Sequence, residues 1–290
     1  MDREELKQLV AQLLQEAAMP PVKGGEYRPT EKTEPPLEDI TAKDLRKEYL
    51  VRHPKNAAAF LALKAKTPAR LGVGRCGTRY LTATQLRFRA DHAAAQDSVF
   101  SQVPLDYAKV NGLMELKTLC KDKEEYLTRP DLGRRFSQEN QKVIREAFGS
   151  QKILLVVGDG LSSAAITQNA MDCLQTIRQG LKAAGLDYGK GLFVRYCRVG
   201  ASDHLGELTQ CDLVCMLVGE RPGLVTNASM SAYITYRPRL GTQESERTVV
   251  SNIHAQGIAP VEAGAHIASV IGQILRRGCS GVAFAGGEGL

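Results

Sequence analysis

Glu220 and Arg221 stand side by side in "CMLVGERPGL" (215–224), an acid and a base carried to the end of an apolar run. A carboxylate there can accept hydrogen bonds from amides, and a guanidinium can fork onto a carboxylate or a phosphate. Pro222 ends the run at once, while Gly219 and Gly223 would let backbone or ligand come close. Two earlier apolar runs end in the same manner, at Gly158-Asp159-Gly160 and at Arg198-Val199-Gly200. Three strand ends bearing glycine and charge are a binding edge in search of a ligand.

Other chemistries fit less well. Gly158 and Gly160 are half of a dinucleotide fingerprint, but its third glycine position holds Ser163, and the second run offers no acid for a ribose. Ser162 and Ser163 make no G-x-S-x-G elbow; they are placed to cap the helix that follows, whose free N–H groups suit an anion. His53, His92, His204, His254 and His266 are dispersed, without the spacing of metal ligands. The 7 cysteines form no C-x-x-C pair and read as reduced, buried thiols. With no catalytic or metal set expected in this chain, the pattern suggests a subunit that holds something while another chain supplies the chemistry.

The elements that must position these residues follow from texture. "KILLVVGDG", "GLFVRYCRVG" and "DLVCMLVGERPG" are near-continuous apolar runs, the mark of parallel strands buried on both faces. Between the first two lies a helical stretch stopped by Gly185, and a short helix is expected at Leu205–Gln210. "SAYITYRPRL" alternates like an edge strand, and a last helix spans Pro260–Arg277. Residues 149–290 are therefore expected to form a Rossmann-like, mostly parallel α/β sheet, with ligands outside the carboxyl ends of its strands.

Residues 41–148 read as a helical region, including "NAAAFLALKAK", "TATQLRFRADHAAAQDSVFSQV" and "SQENQKVIREAF". Within it, "YLTRPDLGRRF" places Arg129, Arg134 and Arg135 either in a solvated loop or around an anion. Residues 1–20 read as an amphipathic helix, with Leu6, Leu9, Val10, Leu13 and Leu14 on one face; 21–40, rich in Pro, Gly and charge, reads as a flexible linker. A lone helix of this length is marginal in water, so its stripe needs a partner.

Residues 1–50 hold 8 Lys+Arg against 11 Asp+Glu, and the remainder 30 against 21. The densest basic stretch, Arg70, Arg75, Arg79, Arg87 and Arg89, suits a phosphate, an acidic partner or nucleic acid, although no nucleic-acid module is recognisable. No apolar run approaches the ~20 residues of a membrane span, and the acidic start is not that of a secretory signal.

Six blocks in one order carry a resemblance: "GRCGTRYLTATQLRFRADHAAAQDSV" (74–99), "LTRPDLGRRF" (127–136), "GDGLSSAAI" (158–166), "FVRYCRVG" (193–200), "LVGERPGL" (217–224) and "ERTVVSNIH" (246–254). Together they resemble the small (light) chain of ethanolamine ammonia-lyase. The resemblance implies a larger TIM-barrel partner in a hetero-oligomer, with adenosylcobalamin held between the chains. It also implies homolysis of the Co–C bond, radical abstraction from ethanolamine, and release of acetaldehyde and ammonia, with substrate contacts in the large chain. Family contacts to the corrinoid carry over to Val199, Glu220 and Val249. The last stands where the family often has cysteine, so only a contact independent of a thiol can persist. Arg198 and Arg221 are neighbours of these positions. The resemblance further implies a bacterial cytoplasmic protein housed in the ethanolamine-utilisation microcompartment, its N-terminal helix acting as a tag for shell proteins. Two readings compete: a non-catalytic Rossmann-like module for a corrinoid or nucleotide, and a nucleic-acid binder using the arginines of 70–89.

Overall fold

Strands with no polar face must be covered on both sides, and such strands form the centre of the sheet. In the computed structural model, which describes Gln8 and residues 39–286 except 46 and 150, the strands in chain order begin with a separate hairpin, β1 (Arg75–Cys76) and β2 (Arg79–Tyr80). They continue with β3 (Met114–Lys117), β4 (Ile153–Gly158), β5 (Leu192–Arg195), β6 (Leu213–Gly219), β7 (Met230–Tyr236) and β8 (Arg247–Ile253). The last six lie in the order β3-β5-β4-β6-β7-β8. The first four of these are parallel, and β7 and β8 extend the sheet by antiparallel pairing. Every residue of β4, β5 and β6 is buried. The fold is thus mixed α/β with a mostly parallel sheet. Ile40–Leu290 forms one compact unit; the expected helix at 1–20 and linker at 21–40 lie, apart from Gln8, Asp39 and Ile40, outside the described residues.

Among the described residues, the α-helices of four residues or more are α1 (Ala57–Lys64), α2 (Thr82–Phe100), α3 (Tyr107–Val110), α4 (Lys123–Thr128), α5 (Gln138–Phe148), α6 (Met171–Ala183), α7 (Ala201–Thr209), α8 (Pro260–Arg277) and α9 (Val282–Ala285). Successive strand residues point to opposite faces, so each face builds its own core. Leu155, Val157 and Leu217 meet Ile177 of α6 and Ile271 of α8 on one side. Leu154, Val156 and Met216 meet Ile144 of α5 and Leu205 of α7 on the other. The expected punctuation operates: Ser162 Oγ accepts from Ala165 N at 3.0 Å to open the turns leading into α6, and Gly185, at φ +68°, closes it.

Three features differ from the expectations, the first being that the β1–β2 hairpin also falls within residues 41–148, the stretch read as helical. β3 lies within the stretch read as helical; it has four residues and only Leu116 is buried, so Glu115 and Lys117 erase any apolar run. β7 is not the edge, because β8 pairs outside it and covers its ladder. β8 escapes notice because Ser251 and Asn252 face outward and leave a broken pattern.

The centre of the sheet is closed by backbone meeting backbone. Leu161 N donates to Gly219 O at 3.1 Å, and a Cβ on Gly160 would lie 2.6 Å from that same oxygen. A Cβ on Gly219 would fall on Ser162 O, whereas one on Gly223 would meet nothing within 4 Å. Gly219→Ala is therefore expected to destabilise the chain by about 1–3 kcal/mol, as overpacking does. Urea melts check this: the Gly219→Ala midpoint should fall while Gly223→Ala stays at the wild-type midpoint. Equal midpoints for both variants would contradict the close approach.

Candidate functional site

The carboxyl ends of β4, β5 and β6 gather at one edge, as their parallel pairing requires. Asp159 organises it from beneath. Its backbone N donates to Val194 O at 2.9 Å and its carbonyl accepts from Cys197 N at 2.9 Å, tying the exit of β5 to that of β4. The side chain is fully buried; Oδ1 accepts from Ser163 Oγ at 2.7 Å, and Oδ2 has no hydrogen-bond partner. Burial pushes this carboxyl up, against the pull of the buried Lys123, whose own ammonium is pushed down by burial. Lys123 Nζ donates to Gly160 O at 3.2 Å.

Above this base, the exits of β5 and β6 sort the candidate residues into two groups. The first comprises Val199, Glu220 and Val249, joined on the α7 side of the sheet. Tyr233 of β7 donates from Oη to Glu220 Oε1 at 2.8 Å, and Tyr233 lies opposite Val249 in the β7–β8 ladder. Burial, then the Glu220 bond, raises the Tyr233 phenol, so it remains a donor. Arg247, two residues before Val249, is buried and grips Asp203 of α7 with two bonds of 2.8 and 2.9 Å. It also donates to Ser202 Oγ at 3.2 Å, and Ser202 Oγ donates to Val199 O at 2.8 Å. Val199 is half-buried against the core beneath, Glu220 is half-buried, and Val249 is 45% exposed.

Arg198 and Arg221 form the second group. Both line a cavity of about 590 Å³ walled by the end of α2, by Leu127 of α4 and Pro130 after it, and by the 221–224 turn. Arg198 stacks 4.2 Å above the Tyr126 ring and donates to Tyr126 O at 2.7 Å, yet its Nε is buried without a partner. Arg221 is exposed, and Glu220 takes its hydrogen bond from Tyr233 instead of from Arg221. Sequence neighbours thus serve different surroundings.

Several of the remaining candidates are occupied locally. Arg129 pairs with Asp131 in two bonds of 3.0 and 2.8 Å. Arg70 and Arg87 both reach Asp91, at 2.7 and 2.9 Å. His204 Nδ1 accepts from Phe136 N at 3.2 Å. All seven cysteines are free thiols, five of them buried. Among the described residues, no group of three or more His, Cys, Asp or Glu is arranged to hold a metal, and no helix is long and apolar enough to cross a membrane.

A family model described as "Ethanolamine ammonia-lyase light chain (EutC)" matches residues 57–285, a span that includes every residue of this edge. The chain belongs to the ethanolamine ammonia-lyase light-chain family. It is similar to the ethanolamine ammonia-lyase small subunit of Clostridioides difficile, at 60% identity over 247 residues covering 85% of this chain and 84% of that protein. It is also similar to the small subunit of Lachnoclostridium phytofermentans, 55% identical over 251 residues (86% and 85%), and to that of Listeria monocytogenes serotype 4a. The last is 50% identical over 292 residues, covering 97% of this chain and 99% of that protein.

Three members of this light-chain edge escaped the sequence reading: Tyr233, Asp203 and Arg247. Tyr233 sits mid-strand, where a tyrosine reads as packing. Asp203 and Arg247 are 44 residues apart and meet only through the fold. Asp159 was visible as part of Gly158-Asp159-Gly160, but not its burial. Because burial favours the neutral carboxyl, the folded chain keeps this proton to higher pH than the unfolded chain, and stability falls as pH rises through that window. Asp159→Asn should flatten that fall, read from urea midpoints between about pH 4 and 7. A slope unchanged from wild type would contradict it.

Proposed function

We propose that the chain is the small subunit of ethanolamine ammonia-lyase and helps to hold adenosylcobalamin against a large, barrel-type catalytic subunit. Membership of the light-chain family supports the lyase assignment. The observation that carries the cofactor role is Glu220: its Oε1 is fixed by Tyr233, while Oε2 accepts from no described residue. A corrin rim carries amide side chains, and an oriented carboxylate beside exposed Val249 and half-buried Val199 offers them an acceptor and apolar contact. The residues present therefore fit. When bound, the cofactor supplies the homolytic chemistry that converts ethanolamine to acetaldehyde and ammonia.

The chain's own work is orientation. Tyr233 restricts the Glu220 carboxylate, and an acceptor already in place lowers the ordering cost of binding. Arg247 and Asp203 lock α7 to β8, so Val199 and Val249 are held in fixed relation. Val249 bears no thiol, so its contact is through apolar surface or backbone. The sheet, read as Rossmann-like, would present all of these outside its carboxyl ends. Packaging of the enzyme in a bacterial microcompartment through residues 1–20 belongs to the same reading.

The test uses the assembled complex of both chains. Glu220→Ala should weaken cobalamin retention by about 1.5–3 kcal/mol, the worth of a hydrogen bond to a charged group. Tyr233→Phe should cost less, about 0.5–1.5 kcal/mol, because the carboxylate stays but loses its tether. Equilibrium dialysis of the corrinoid reads both, alongside an unchanged circular dichroism spectrum. Retention equal to wild type in both variants would overturn the role of this edge.

A further inference from the structure

Residues 221–226, the turn that follows Glu220, have few holds on the rest of the chain. Arg221, Gly223, Leu224 and Val225 are exposed. Glu220 N donates to Ser229 O at 3.0 Å and Gly223 N to Thr226 O at 3.0 Å, bonds that close the turn on itself. Among the described residues, the one hydrogen bond that ties 221–226 to a residue outside 220–229 runs from Arg70 Nη2 to Leu224 O, at 2.6 Å. A cationic donor makes this a strong bond.

Arg70 is itself aimed by α2. Its guanidinium lies 4.6 Å over the Phe88 ring and forms an ion pair with Asp91 at 2.7 Å. Asp91 is shared with Arg87, whose Nη1 donates to Ile40 O and Lys43 O and not to the turn. Two turns further along α2, the buried Ser98 donates from Oγ to Asn227 O at 2.9 Å. Phe88, Asp91 and Ser98 follow helical spacing, so one face of α2 holds both limbs of the turn, the outgoing limb through Arg70 alone.

We propose that Arg70 is a positioning residue for the cofactor edge: through Leu224 O it fixes the path of the chain after Glu220. The link to the cofactor rests on the proposed function; the tether does not. Without Arg70 the outgoing limb is free between Glu220 and Asn227. A corrinoid arriving at the edge would then have to order that limb, which lowers affinity. Arg70 acts through the turn and needs no contact with the ligand.

The experiment uses the complex of both full chains, as wild type, Arg70→Gln, Arg70→Lys, Arg87→Gln and Glu220→Ala. Hydrogen exchange without corrinoid follows the amides of 220–229, and equilibrium dialysis gives the Kd of hydroxocobalamin. Arg70→Gln should speed exchange across 220–229 at least about threefold and raise the Kd about three- to tenfold. Arg87→Gln breaks the neighbouring pair with Asp91 and the ties to Ile40 and Lys43 but leaves the Leu224 bond, so both readings should stay at wild type. Arg70→Lys keeps a cationic donor and should recover most of both losses. Wild-type exchange in Arg70→Gln would overturn the tether. Equal changes in Arg87→Gln would overturn it too, because they would mark a general loosening of α2. Faster exchange with an unchanged Kd, where Glu220→Ala does weaken binding, would overturn the positioning role. Where Glu220→Ala also leaves the Kd unchanged, or wild type binds no hydroxocobalamin, the cofactor reading has failed, and exchange alone decides whether Arg70 holds the turn.

Discussion

The contact between Gly219 and the Ser162 backbone sets the geometry of everything above it. β4 and β6 run in parallel register from Ile153 opposite Leu213 to Gly158 opposite Val218. Beyond that point the two chains have to part, and they part only after Leu161 N has bonded Gly219 O. Side chains at Gly160 or Gly219 would prise the strands apart before the exit. Because they are absent, Glu220 leaves the sheet toward Tyr233 on one side and Arg221 leaves toward the cavity on the other. One backbone contact therefore distributes two adjacent charges to two different tasks.

Beneath and beside this contact are two buried polar arrangements with different characters. Arg247 and Asp203 satisfy each other with a bidentate pair, supplemented by Ser202 and Glu244. Such a pair adds little net stability once desolvation is counted, but it fixes which helix meets which strand. Here it fixes α7 to β8, and with them Val199 to Val249. Asp159 and Lys123 are less complete: one carboxylate oxygen is unpaired, and burial drives both groups toward neutrality. The first arrangement explains rigidity; the second is a cost borne at the point where three strand ends converge.

Much of this was legible in the residues. Continuous apolar runs at 153–158 and 213–219, each closed by glycine, read as doubly covered strands and are such strands, and Pro260 with Gly278 bounded α8 as helix signals should. What could not be read depends on contacts between distant residues or on weak patterns. β3 and β8 are short or broken by polar positions, so no periodicity announces them. The division of Glu220 from Arg221 was likewise invisible, since adjacent charges invite the inference of an ion pair. Only Tyr233, thirteen residues on and mid-strand, reveals that the carboxylate is held from elsewhere. The basic stretch at 70–89 was legible as charge but not as structure. Asp91 engages two of its arginines, and Arg75 lies over Tyr80.

Shared holding of a corrinoid by two chains is the central claim, and reconstitution tests it most directly. The chain alone, the large subunit alone and the co-expressed pair would each be loaded with adenosylcobalamin and passed through gel filtration, and bound corrinoid measured by its absorbance. Shared holding predicts that only the pair retains the corrinoid and turns over ethanolamine. Full retention by the isolated chain, with no effect of the partner, would contradict it and mark the chain as a self-sufficient carrier.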